Sequence, residues 1–194
     1  KESKNDKFHI HDYVITDEML AVIGELDFIE TLILDQGRVT DGAMQAIASL
    51  PKLDHLRLRL SPITDAGLDH LRNCVSLTHL NLPHAECTSE GIGRLSALPR
   101  LRQLRLGSPN LGNDVTREIA KIESLRNVHL IGIPITDEGL KTLAAMPQLE
   151  SLYLDDTAVT EAGWDWLFDA YPYLHIHVNQ THHDRDPKAH LHHD

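Results

Sequence analysis

Along the chain, apolar residues alternate as L-x-L and then switch to a helical spacing, and the two phases recur together. LDHLRLRLSPITDAGLDHL (53–71), LRNVHLIGIPITDEGLKTL (125–143) and LESLYLDDTAVTEAGWDWL (149–167) are one pattern with a step of 24 residues. Ile10, Leu34, Leu58, Leu82, Leu106, Leu130, Leu154 and Val178 form one column at that step. Two residues earlier, Phe8, Leu32, Leu56, Leu80, Leu104, Val128, Leu152 and Ile176 form another. Every position in both columns is apolar, so no insertion breaks the register between residues 8 and 178.

Two leucines separated by one residue point to the same face of a strand, with the intervening side chain on the other face. Each strand is predicted to turn into a helix at Thr16, Thr40, Thr64, Thr88, Thr136 or Thr160, each followed by Asp, Ser or Glu. The hydroxyl is placed to cap free N–H groups, and the following carboxylate suits the positive end of the helix dipole. Leu68 with Leu71, and Leu140 with Leu143, then keep helical spacing. Pro51, Pro99 and Pro147 stop their helices before the next strand. The segment LGNDVTREIAKI (111–122) lacks the Thr-Asp pair, and Asn113 or Asp114 is expected to cap in its place.

A period in the twenties opening on L-x-x-L-x-L resembles a leucine-rich repeat (LRR). The second half, V/I-T-D-x-G-L-x-x-L, is similar to the bacterial ITDxGL subclass of that family. The resemblance implies an α/β solenoid with a curved parallel sheet on the concave side and short helices on the convex side. It divides the chain into one solenoid of about seven repeats over 1–178 and a tail over 179–194. The position after each strand holds Ser61, Ala85, Pro109, Ile133 and Thr157, so the asparagine ladder of many family members is absent. Cys74 and Cys87 occupy columns otherwise filled by Leu, Ile, Met or Val and read as small buried hydrophobes.

The formal charge of −11 argues against wrapping a phosphate backbone or resting on an anionic membrane. No apolar run is long enough to insert into a bilayer. The chain starts at Lys1 rather than Met, which implies trimming or processing. An extracytoplasmic location after loss of a signal or anchor therefore stands beside a cytoplasmic one.

Function in such a solenoid is expected on the concave sheet. The outward columns read His9, Ile33, Arg57, Asn81, Arg105, His129, Tyr153, His177 and Lys7, Thr31, His55, His79, Gln103, Asn127, Ser151, His175. At about 4.8 Å between strands, His55 and His79 are neighbours, flanked by Arg57, Arg59 and Arg105. An acidic protein thus presents a locally basic patch suited to an acidic protein partner, with His55, Arg57, Arg59, His79, Arg105, His129 and Tyr153 as its contact residues. The plainer reading is ordinary surface polarity. His84, just after a strand, is placed to join His55 and His79.

Half of the fourteen histidines lie in residues 174–194. His175 and His177 project to one face of the last strand, at a spacing that serves one metal ion. His182, His183, Asp184, Asp186, His190, His192 and His193 supply further imidazoles and carboxylates, the donors favoured by Zn, Cu or Ni. His9 and His11 repeat the pair on the first strand. Seven strand spacings put the two pairs roughly 34 Å apart, so they share a metal only across an end-to-end dimer. No G-x-S-x-G, H-E-x-x-H or phosphate-loop motif occurs. The sequence reads as a non-enzymatic binding scaffold with a transition-metal site at its C-terminal end. Two alternatives stand beside it: a pure interaction module with an unstructured polar tail, and a metal-dependent hydrolase or redox protein.

Overall fold

The computed structural model describes residues 6–182. Each alternating segment is a strand: β1 (Lys7–Ile10), β2 (Thr31–Leu34), β3 (His55–Leu58), β4 (His79–Leu82), β5 (Gln103–Leu106), β6 (Asn127–Ile131), β7 (Ser151–Asp155) and β8 (His175–Val178). They pair in chain order, all parallel, and each residue lies opposite its counterpart 24 positions on, as in Leu32 with Leu56 and Leu104 with Val128. The inward leucines from Leu32 to Leu154 are fully or almost fully buried, each contributing about 1.5–3 kcal/mol. One continuous core runs from Ile15 to Ile176.

The helices α1 (Asp17–Leu20), α2 (Asp41–Ala48), α3 (Asp65–His70), α4 (Ser89–Arg94), α5 (Val115–Ala120), α6 (Asp137–Ala144) and α7 (Glu161–Ala170) alternate with these strands. Their apolar stripes, such as Leu140 and Leu143, close the core from the side opposite the open sheet face. None of the described helices is long and apolar enough to cross a membrane.

The recurring Thr-Asp pair does more than cap. Thr40, Thr64 and Thr160 accept an amide of their own helix, as expected. Thr16, Thr88 and Thr136 make no such side-chain cap, which corrects the uniform capping inferred from the sequence. The carboxylates instead tie repeats together. Asp17 accepts the amide and hydroxyl of Thr40, Asp41 those of Thr64, Asp65 those of Thr88, and Asp137 those of Thr160. In the divergent repeat neither Asn113 nor Asp114 caps α5; Asn113 Oδ1 takes the Asp role and accepts from Thr136 N and Oγ1, both at 3.0 Å. The glycine of the motif follows from this ladder: a Cβ at Gly163 would stand 2.2 Å from Asp137 Oδ1, and one at Gly67 2.3 Å from Asp41 Oδ1.

The two ends differ. In the first repeat Phe8, Tyr13, Val14, Met19 and Val22 are exposed. At the other end α7 buries Trp164 and Phe168, and β8 is followed by a hairpin. Asn179 and Gln180 take left-handed φ of 49° and 64°, and β9 (Thr181–His182) returns antiparallel to β8. The segment assigned to the tail therefore opens with an ordered turn. His183, Asp184, Asp186, His190, His192 and His193 lie outside the described residues. Cys74 and Cys87 are free and buried, and burial pushes their thiols up to about 11 and about 12, as expected of packing residues.

Candidate functional site

The open face carries three clusters in a row. At the end of β1, His9 Nε2 lies 3.0 Å and His11 Nδ1, just past the strand, 3.4 Å from the same oxygen, Oδ2 of Asp35, which follows β2. The two imidazole rings are 3.8 Å apart between centroids. Oδ1, the other oxygen of Asp35, meets Arg57 Nη2 at 2.9 Å in an ion pair rather than an aligned hydrogen bond. Burial pushes the Asp35 carboxyl up, but the His9 hydrogen bond, the Arg57 charge and the His11 hydrogen bond outweigh it and hold it below the usual range.

Mid-sheet, His55 and His79 stack with centroids 5.2 Å apart, the adjacency that the repeat columns imply. Burial and the His79 charge lower the His55 pKa against the opposing charge of Asp54. Beside them Arg57, Arg59, His84 and Arg105, with Pro83 and Ile131, line a hollow of about 230 Å³. His84 therefore joins the arginines rather than His55 and His79. The cause is local: Leu60 adopts φ of 55°, and its amide donates to His84 Nδ1 at 3.3 Å. That bond leaves the proton of the neutral ring on Nε2. Burial, Arg59 and Arg105 lower the His84 pKa.

Arg105 also lines a second hollow, of about 390 Å³, with Asn81, Gln103, Asn127, His129 and Tyr153. Buried Arg57 Nε, Arg105 Nε and Asn81 Oδ1 find no hydrogen-bond partner among the described residues. Among those residues Arg59 and Arg105 also lack a carboxylate partner, whereas Arg57 has Asp35. Burial and the charges of Arg57 and Arg59 lower the Arg105 pKa, opposed by Asp155. The sheet thus holds like charges together around the hollow, an arrangement that suits an incoming oxyanion.

At the C-terminal end His129 Nε2 lies 2.8 Å from Asp155 Oδ2, and Asp155 Oδ1 accepts the Gln180 amide at 2.9 Å. Tyr153 stacks on His177 at 4.3 Å. The Nε2 atoms of His175 and His177 are 3.0 Å apart, so the H-x-H pair does converge, with His175 only 7% exposed. The backbone of His182 pairs with His177 across the hairpin.

Asp35 and Asp155 escaped the sequence reading. They belong to a third outward column, His11, Asp35, Arg59, Pro83, Gly107, Ile131, Asp155 and Asn179, which begins where the strands end. Extending the alternation by one step finds both carboxylates beside the histidines they hold.

No protein-family profile matches the sequence, and no curated protein is significantly similar to it. Solved structures do share the fold. Internalin C2 of Listeria monocytogenes superposes with a TM-score of 0.63 at 19% identity, over 89% of this chain and 80% of that one. A second internalin of the same organism, inlF, gives 0.62 at 19% identity over 89% and 46%. An LRR protein of Leptospira interrogans gives 0.55 at 18% identity over 88% and 48%. The chain spans less than half of the latter two. Its fold is that of an LRR solenoid, and these structural neighbours are bacterial LRR proteins.

Proposed function

We propose that the protein is a non-enzymatic binding scaffold whose concave sheet holds an acidic segment of a partner protein. The observation behind this reading is the mid-sheet cationic hollow lined by Arg57, Arg59, Arg105 and His84, where Arg59 and Arg105 have no carboxylate partner among the described residues. A carboxylate side chain fills that need, since guanidinium forks match carboxylates and the field of a local basic patch steers acidic chains toward it. The flanking His55–His79 stack, His129 and Tyr153 extend the contact surface along the sheet.

Titration of the full chain with a Glu/Asp-rich peptide, at low and at physiological salt, tests this. Wild type is expected to bind with affinity that falls as salt rises. The Arg59→Glu/Arg105→Glu variant is expected to lose at least tenfold. Equal affinity in the two proteins contradicts the reading.

The convergence of His175 and His177 supports a second role for the other end: a divalent transition metal held by these two imidazoles together with tail histidines and aspartates. Replacing His175 and His177 by alanine should then reduce the metal-dependent rise in melting temperature, which chelator also removes.

A further inference from the structure

We infer that His9, His11 and Asp35 form a separate binding site for a divalent transition metal such as zinc, at the N-terminal edge of the concave sheet. The donor set is two imidazole nitrogens and one carboxylate oxygen, the borderline N/O chemistry that zinc favours. One ligand atom from each residue lies within 4.8 Å of the others. Donors about 2.1 Å from a tetrahedral ion stand about 3.4 Å apart. The His9–Asp35 and His11–Asp35 separations of 3.0 and 3.4 Å already match. The His11 side chain is 57% exposed, so its ring is free to close any remaining gap to His9.

The sequence offers only the pair, and needs a second copy of the chain to complete a site. Asp35 supplies the third ligand from the adjacent repeat. Arg57 supports the arrangement from behind: it holds Oδ1 at 2.9 Å and leaves Oδ2 aimed at both imidazoles, so the carboxylate serves as a one-oxygen ligand. Three protein ligands leave a fourth position for water or for a donor from a bound partner. None of the three ligands lines the cationic hollow; Arg57 alone touches both.

The geometry also states which nitrogen of each ring binds. His9 presents Nε2 and His11 presents Nδ1. In the metal-bound protein the ring proton therefore sits on Nδ1 of His9 and on Nε2 of His11. This signature separates the site from adventitious binding by the histidine-rich tail, which has no reason to select opposite nitrogens in these two residues.

The experiment is a zinc titration of the metal-free full chain followed by imidazole ¹⁵N NMR, with signals assigned through His9→Ala and His11→Ala. The expected result is a metal-induced shift at Nε2 of His9 and Nδ1 of His11, unchanged in His175→Ala/His177→Ala. By calorimetry, Asp35→Asn weakens this class of site at least tenfold, and His9→Ala/His11→Ala removes it. His9, His11 and Asp35 lie on or near the open edge, and a melt of each variant, His175→Ala/His177→Ala included, confirms folding. Unmoved His9 and His11 nitrogens at saturating zinc overturn the proposal. So does a folded Asp35→Asn protein with wild-type affinity, which would remove the carboxylate from the ligand set.

Discussion

His9-x-His11 and His175-x-His177 have the same spacing at the two ends of one sheet, yet the structure gives them opposite surroundings. The first pair stands on an edge strand, His9 39% and His11 57% exposed, with a carboxylate from the next strand between the two rings. The second is packed under Tyr153 and beside a hairpin, with His175 nearly buried and the neighbouring carboxylate, Asp155, turned instead toward His129 and the Gln180 amide. Asp35 and Asp155 even share a column. What separates the ends is which side chains the adjacent repeats place at the outward positions, and whether the chain turns back over them.

The largest effects should come from the core beneath each pair. Phe8 and Ile176 occupy the same inward column, but Phe8 is 41% exposed and Ile176 is fully buried. Ile176→Ala should cost about 2–5 kcal/mol in chemical denaturation, and Phe8→Ala below about 2 kcal/mol. Equal costs would mean that the first repeat is as tightly packed as the last.

Next come the two carboxylates. Asp155→Ala deprives the half-buried His129 and the turn amide of Gln180 of their acceptor, and is expected to cost about 1–3 kcal/mol. Asp35→Ala removes a more accessible ion pair and should cost about 1 kcal/mol or less. The same denaturation experiment ranks them, and the reverse order would break the comparison.

The smallest effect is in pH dependence. Burial lowers the His129 pKa despite its bond to Asp155, the charge of Arg105 lowers it further, and burial with His79 lowers that of His55. A histidine whose folded pKa is depressed binds protons more readily in the unfolded chain. Its contribution is therefore intact above its ordinary value of 6.5 and is lost as pH falls from there through the folded value. Stability should drop between about pH 7 and pH 5, and His129→Gln should flatten that slope. An unaltered slope in the variant would show that His129 is not desolvated as described.

Most of the fold was legible because the 24-residue period puts every strand residue in a column, and two apolar columns fix both register and inward face. The Thr-Asp motif was legible only as a local cap. Its inter-repeat bonds, such as Asp41 to Thr64, need the distance between neighbouring repeats, which spacing along one repeat does not reveal. The His55–His79 stack and the arginines around it followed from columns alone. His84 did not, because its direction depends on the left-handed turn at Leu60, where a leucine gives no warning of positive φ. The hairpin after β8 was hidden similarly: Asn179-Gln180 lacks the glycine that usually marks such a turn.

The cationic hollow at the middle of the sheet is the feature on which binding depends most. Its most direct test follows the guanidinium Nε–H resonances of the full chain during titration with the acidic peptide. Binding accompanied by shifts at Arg57 and Arg105 Nε–H is the predicted result, because both guanidinium groups line the hollow. Binding that leaves both signals in place, with changes confined to the helical face, would contradict it.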